Sequence, residues 1–391
     1  MFTLFVMSSP SSASSSTSSE PLSDPEWTPA QITHHVQRVP AAPAQWNWSS
    51  INLICANRNR AIIWANEQRL LHGSRKCRNH RIPMNLSVER SGYGQFRCPR
   101  RRRGSPRSGE EVSAAKGTWF EGHLIPITTS IRLMFSWTEN LSYAGARRNC
   151  PQDTGNLSDT TIADWYNYCR ELITYKFLDD QDRHGLIGGP GKIVQIDGAK
   201  FGRRKYNRGR HVEGHWVIGM IEDGSVDFRL EICPDNERSA EILIPLILKH
   251  VAIGTTIRTD EWKGYTQLPR YGYVHQTVNH SREFVTEEGV HTNRVESMLR
   301  PMRAFFQGRL ISDDVFADHL VEYQWRRQCR LRRIEKFESL LGYIRDEYRV
   351  AGYQWWSLIY IKFRKSKKSK KQKNQKNQKN QKNQKIKNSI S

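Results

Sequence analysis

The apolar positions of this chain change their rhythm near Gly191. Upstream, residues 118–183 carry apolar side chains at helical spacing. In TWFEGHLIPITTSIRLMFSWTENL the pattern sets in after Pro126, and SDTTIADWYNYCRELITYKFL opens on an N-cap at Ser158 or Asp159. The second segment puts Ile162, Trp165, Tyr166, Cys169 and Leu172 on one face, the stripe an amphipathic helix buries. Two such helices joined by the GNLSD turn fit either a helix-turn-helix or a plain helical linker. Downstream the pattern becomes short strands: KIVQID, HWVIGMIE, VDFRLEIC, TTIRTDEW and YVHQTVNH. The run Ile193, Val194, Ile196 suits an interior strand, although so short an apolar run also fits a buried helix segment. Asp223-Gly224 reads as a hairpin turn between the second and third strands. SAEILIPLILKHV reads as an apolar helix, and HTNRVESMLRPMRAFFQG and SDDVFADHLVEYQWRRQCRL as two more.

Three hairpin-linked strands, a crossover helix and a fourth strand predict an α/β fold with an RNase H-like mixed sheet, because the crossover returns the fourth strand parallel to the first. That topology makes neighbours of Asp197, on the first strand, and Asp260, at the end of the fourth. A helix across the sheet edge then brings Glu296 toward both. Carboxylates at about 4 Å repel by roughly 1 kcal/mol per pair even in water. Divalent metal relieves that repulsion. Carboxylate oxygens suit Mg²⁺ or Mn²⁺, and two ions about 3.5 to 4 Å apart serve phosphodiester displacement.

Composition narrows the partner. A chain of 391 residues with 37% hydrophobic content has room for two or three domains, and its net charge of +22 favours a polyanion. Nucleic acid fits better than a membrane, since no long apolar amphipathic segment accompanies the charge and no stretch reaches the roughly 18 apolar residues of a span. Arg203, Arg204, Lys205, Arg208 and Arg210 follow Asp197 closely and are read as DNA-backbone contacts. The seven cysteines are scattered, which points to free thiols or metal ligands in a reducing compartment. MFTLFVM is too short for a signal-peptide core, so the chain reads as intracellular.

Cys77 and His80 stand at C-x-x-H spacing, with Cys98 after a strand-like stretch. A tetrahedral zinc site needs a fourth ligand, and the position that would supply it is Arg101, leaving His72 as an alternative. The result reads as a degenerate zinc-ribbon-like module with a doubtful structural Zn²⁺. The Ser/Pro-rich start is expected to be disordered, and KFRKSKKSKKQKNQKNQKNQKNQKIKN to be a flexible cationic tail suggesting the nucleus.

VQIDGAKFGRRKYNRGR, HWVIGMIE, IRTDEWKGY, TVNHSREFV, HTNRVESMLRPMR and YQWRR, in that order, resemble the DDE transposases of the Merlin superfamily and their bacterial insertion-sequence relatives. The resemblance covers roughly residues 116–330. It implies Asp197, Asp260 and Glu296 as the catalytic, metal-holding triad, with water as nucleophile for donor cleavage and a DNA 3′-hydroxyl for strand transfer. Terminal repeats and target DNA are the implied partners, with a homo-oligomer on the DNA ends. Asn293, one turn before Glu296, is read either as a DNA or carboxylate contact or, with His291, as a helix cap. Trp262 and Tyr265 are read as core packing ahead of base stacking, and His275 and His280 as strand-end histidines ahead of metal ligands. The expected division is 1–45 disordered, 46–115 ribbon-like, 116–185 helical DNA-binding or linker, 186–335 catalytic, and 336–391 helical extension and tail. The alternative reading is a transposase-derived DNA-binding protein without transposition activity, and an RNase H-like nuclease on RNA–DNA hybrids stands third.

Overall fold

The computed structural model describes residues 45–88, 92–100, 110–150, 157–201, 214–278, 291–307 and 311–348. The serine-rich start, the lysine tail, the Arg203–Arg210 cluster, Arg101 and His280 lie outside the described residues.

The described residues open with two short helices, α1 (Trp48–Ile54) and α2 (Arg58–Glu67), each capped by an asparagine, Asn47 or Asn57, whose side chain accepts an amide of the first turn. Three three-residue strands follow, β1 (Asn85–Ser87), β2 (Gln95–Arg97) and β3 (Glu111–Ser113), paired antiparallel. Then come α3 (Ile127–Thr138), α4 (Tyr143–Asn149) and α5 (Asp159–His184). Ser158 caps α5 by accepting from the Thr161 amide, and the five residues predicted for its apolar face are all buried. Where the sequence suggested two helices joined by one turn, a third, short helix intervenes. It forms because Ser142 caps it, accepting from the Gly145 amide. Helix α3 is buried over almost its whole length.

The strands beyond Gly191 form a five-stranded mixed sheet. Its members are β5 (Ile193–Phe201), β6 (His215–Glu222), β7 (Phe228–Ile232), β9 (Thr256–Asp260) and β10 (Val274–Val278), in the order β10-β9-β5-β6-β7. β6 runs antiparallel to both its neighbours, whereas β9 runs parallel to β5 and to β10. The crossover is α6 (Ala240–His250), and a two-residue pair, β4 (Ile187–Gly188) with β8 (Val251–Ala252), flanks the sheet. The alternation along β5 separates two cores. Val194 and Ile196 join Leu243, Ile244 and Ile247 of α6 on one face. Ala199 and Phe201 face the other way, toward α7 (Asn293–Phe306) and α8 (Asp313–Leu331).

The helical part is bolted to α8 by buried charge. Glu322, 2% exposed, accepts from Arg170 of α5 at 2.7 Å and from Arg326 at 2.8 Å. Arg326 also donates to the Thr138 carbonyl at the end of α3 and stacks over Trp137 at 4.8 Å. The last helix, α9 (Lys336–Glu347), packs Phe337 against Trp46 and Phe135. Residues from both ends of the described chain therefore share one helical cluster. Among the described residues, no helix is long and apolar enough to cross a membrane.

Burial alone would raise the Glu322 carboxyl, but Arg326 and Arg170 outweigh it and hold it at about 2. Its contribution to stability is therefore complete above the ordinary value of 4.5 and lost as pH falls toward 2. Glu322→Gln strands the buried Arg170 and partly buried Arg326 guanidinium groups, and we expect urea unfolding at neutral pH to show a loss of about 3 to 5 kcal/mol.

Candidate active site

Asp197 stands in the middle of β5, four residues before its end, rather than at the end of the strand as the segment KIVQID suggested. The parallel pairing of β5 with β9 covers Ile193↔Thr256 to Gln195↔Arg258. Continued two residues, that register sets Asp197 level with Asp260. Asp260 ends β9, with its Oδ1 accepting the Trp262 amide at 3.2 Å. Asp197 Oδ1 accepts the Gly198 amide at 2.7 Å.

The third carboxylate arrives on α7. Gln195, fully buried and two residues before Asp197 on the same face, accepts the Arg294 amide at 3.0 Å and the Val295 amide at 3.4 Å through its Oε1. Its Nε2 lies 3.4 Å from His291 Nδ1. One strand side chain thus fills the helix N-terminus, whose amides otherwise lack acceptors. Arg294 adds a second tie, reaching Asp223 at 3.2 Å and the Ser225 carbonyl at 2.5 Å in the β6–β7 turn. Gly219, paired with Asp197, lets the helix approach: a Cβ there would meet Met298 Cε at 2.6 Å and Leu299 Cδ2 at 3.2 Å. Glu296 follows one turn into α7, accepting from the Thr292 hydroxyl at 3.1 Å. Thr292 holds the N-cap position, so the predicted cap at His291 or Asn293 lies elsewhere: Asn293 is the exposed first residue of the helix and His291 meets Gln195.

The other two acidic groups act on Asp197. Burial, the Asp260 charge and, more weakly, Glu296 push the Asp197 carboxyl up to about 6, against the Gly198 amide and Arg238. The oxygens of the three are not all within 4.8 Å of one another, as the donor atoms of Cys77, His80 and Cys98 are.

Two residues of the surroundings were not singled out in the sequence. One is Gln195. The other is Arg238, between β7 and α6, whose guanidinium carbon lies 4.5 Å from the Trp216 ring centre and 4.7 Å from that of Trp262. Its Nη2 is 3.8 Å from Asp260 Oδ2. A polar residue interrupting the apolar run IVQI was the available signal for Gln195; for Arg238 there was none. Tyr265 is fully buried, as core packing requires, while Trp262 is half-exposed and its indole N–H donates to the Arg238 carbonyl at 2.7 Å. His275 meets the Thr259 hydroxyl at 2.9 Å, and burial lowers its pKa.

A separate cluster lies in the three-stranded module. His80 Nδ1 is 3.6 Å from Cys77 Sγ and 3.2 Å from Cys98 Sγ. Ligands of one tetrahedral zinc, at about 2.3 Å for sulfur and 2.0 Å for nitrogen, would stand roughly 3.6 Å apart. Hydrogen bonds from the backbone at Glu110, His80 and Asn79 hold the Cys77 thiol down to about 6 despite burial, whereas burial raises Cys98. The set gathers three ligands. His72, the alternative fourth, lies instead where a Cβ on Gly117 would touch its Nε2 at 3.4 Å.

A mixed-sheet domain bearing three clustered carboxylates on β5, β9 and α7 is the class of object the geometry defines. Residues 186–328, which hold all of it, match the model of the ISXO2-like transposase domain. This match bears out the resemblance to DDE transposases drawn from the motifs. A comparison with curated protein sequences finds no match. Among solved structures, the catalytic core domain of BIV integrase is 14% identical, over 40% of this chain and 97% of that one, with a TM-score of 0.24. A pre-cleavage Mos1 transpososome is 11% identical, over 57% and 75%, with a TM-score of 0.20. Likenesses so slight do not bear on the fold.

Gln195→Leu leaves the Arg294 and Val295 amides without their acceptor. We expect urea unfolding to show a loss of about 1 to 3 kcal/mol, with faster hydrogen exchange concentrated in the first turn of α7. A loss spread evenly over the sheet would contradict this role.

Proposed function

We propose that the chain is a DNA transposase that cleaves and joins strands at transposon ends with Asp197, Asp260 and Glu296 as its acidic triad. The observation that carries this reading is the parallel register that sets Asp197 level with Asp260, with Glu296 acting on the same Asp197 carboxyl, inside a segment matching a transposase domain. The sheet order and strand directions support an RNase H-like catalytic domain.

The donor set fits hard divalent cations such as Mg²⁺ or Mn²⁺, because it is all oxygen and its negative charge is incompletely compensated by Arg238. Bound there, such ions would supply activation of the attacking oxygen and stabilisation of the leaving one. The chain's own part is positional. The parallel register brings two aspartates level, Gln195 fixes the helix that delivers Glu296, and Gly219 permits the contact. Exposed Asn293 offers a phosphate contact beside the acids, and the Arg203–Arg210 cluster would extend such contacts along the DNA backbone. Such contacts position DNA without choosing its sequence. An assembly of two or more copies on paired ends, in the nucleus, belongs to the same reading, as does a regional division with catalysis in 186–335. The Cys77, His80 and Cys98 set fits a thiolate-binding ion such as Zn²⁺, which would staple the ribbon-like module.

Three outcomes follow. Nicking and joining of oligonucleotides carrying the element's verified ends should require Mn²⁺ or Mg²⁺ and fall at least about 10³-fold in Asp197→Asn and Glu296→Gln, comparable to removing other transition-state contacts, while DNA binding persists. Binding without any cleavage under these conditions would instead favour a transposase-derived DNA-binding protein. The pH dependence has a definite sign. Between about 6 and the ordinary 3.8 the folded Asp197 holds a proton that the unfolded chain has lost, so metal-free protein gains stability from this group as pH falls through that window. Metal needs the ionised form, so the rise in thermal midpoint on adding Mn²⁺ should be large at pH 7.5 and fade below pH about 6. A rise equal at both pH values would argue against Asp197 as a ligand. Finally, denatured protein should release one Zn²⁺ per chain to a chromogenic chelator, and Cys98→Ser should abolish that release.

A further inference from the structure

We propose that Arg238 is the resident counter-cation of the acidic cluster: a positioning residue that steadies Asp260 through its charge when no metal is bound and through the same charge opposes the incoming divalent ion. The inference rests on the triad reading above and adds a residue to it.

The case begins with how tightly the guanidinium is caged. It lies between two indole rings, at 4.5 and 4.7 Å from their centres, and lies against the β5 backbone at Gly198, where a Cβ would stand 3.1 Å from its Nε and 3.3 Å from Cζ. A side chain at 198 would press on it and require it to shift by a few tenths of an ångström. The loop that delivers it is over-determined. Asp235 and Asn236 both adopt left-handed backbone angles, with φ of 53° and 58°, a conformation L-residues take at a cost. Asn236 repays this by accepting the Trp216 amide at 2.8 Å and donating to the Gly214 carbonyl at 2.9 Å. Trp262, whose backbone amide meets Asp260, donates its indole N–H to the Arg238 carbonyl. Loop, tryptophans and aspartate form one connected unit.

Within that unit the arginine is not satisfied. Its side chain is 12% exposed, and Nε and Nη2 are buried with no hydrogen-bond partner. Nη2 stands 3.8 Å from Asp260 Oδ2, beyond a hydrogen bond and about 1 Å longer than a charge-assisted pair prefers. A buried guanidinium serving only as structural glue would be expected to close that distance. Stacking and the strand backbone hold it off, so its influence on Asp260 and Asp197 is through charge across a gap. A fixed positive charge so placed lowers the repulsion among the carboxylates in the metal-free protein and must also repel an incoming dication. Removing it should therefore tighten metal binding while loosening the alignment of Asp260.

The test is Mn²⁺ titration followed by electron paramagnetic resonance on the full chain, at one pH and ionic strength. Arg238→Gln should bind Mn²⁺ about tenfold more tightly than the parent, the order expected for one unit charge acting on a dication at about 5 Å in a water-like dielectric. Arg238→Lys, which keeps the charge and loses the planar stacking, should return affinity toward the parent value. Circular dichroism and the thermal midpoint establish that each variant is folded. Mn²⁺ affinity that is unchanged or weaker in folded Arg238→Gln would overturn the proposal. The triad reading fails separately: Mn²⁺ uptake insensitive to Asp197→Asn, Asp260→Asn and Glu296→Gln would overturn that reading and, with it, the role of Arg238.

Discussion

One buried amide side chain joins the two halves of the acidic cluster. Gln195 sits in the strand that carries Asp197 and accepts the first amides of the helix that carries Glu296. A buried polar side chain is costly unless paired, so Gln195 and the helix N-terminus satisfy each other and neither has a cheap alternative. The pairing fixes the helix along the strand, while Gly219 fixes its height above the sheet. Arg294, reaching the far turn through Asp223, limits rotation about the Gln195 contact. Strand, helix and turn are thereby locked by side chains that do not themselves bear the acidic charges.

The same logic operates at larger scale in the helical part. Glu322 gathers Arg170 and Arg326, and Arg326 reaches on to carbonyls at the end of α3. A charge this buried is tolerable because its oxygens are engaged from two sides. The strongly basic chain thus spends some of its arginines inward as ties between helices. Arg238 is another inward arginine, stacked on aromatic faces at a distance from its carboxylate rather than closed onto it.

Much of the sheet was legible because its strands obey simple rules. The Asp223-Gly224 turn, the apolar crossover helix and the return of a parallel strand together imply the observed order, and the order implies that Asp197 and Asp260 are neighbours. Elements that resisted were those whose cause lies far off in sequence. The continuation of β5 past Gly198 is supported by pairing with β6, not by an apolar pattern, and a glycine after an aspartate looks locally like a turn. Strands of three residues in the ribbon-like module are too short to show a period. The contact of Trp46 with Glu338, 292 residues apart, leaves no trace in either local segment. Arg238 is in the same position: its partners Trp216, Trp262 and Asp260 come from two separate stretches, and only folding brings them around it.

The spread of the three carboxylates along the chain has a consequence for assembly. Asp197 and Asp260 come level only after β5 pairs with β9 across an intervening hairpin and helix, and Glu296 joins only when α7 docks on the finished sheet. Parallel pairings that close long loops form slowly. A chain emerging from synthesis would therefore carry its basic stretches, and with them an attraction for polyanions, well before the acidic cluster exists. The basic stretches are laid down before the acidic cluster is assembled, and a polypeptide cut short before α7 would carry them without Glu296.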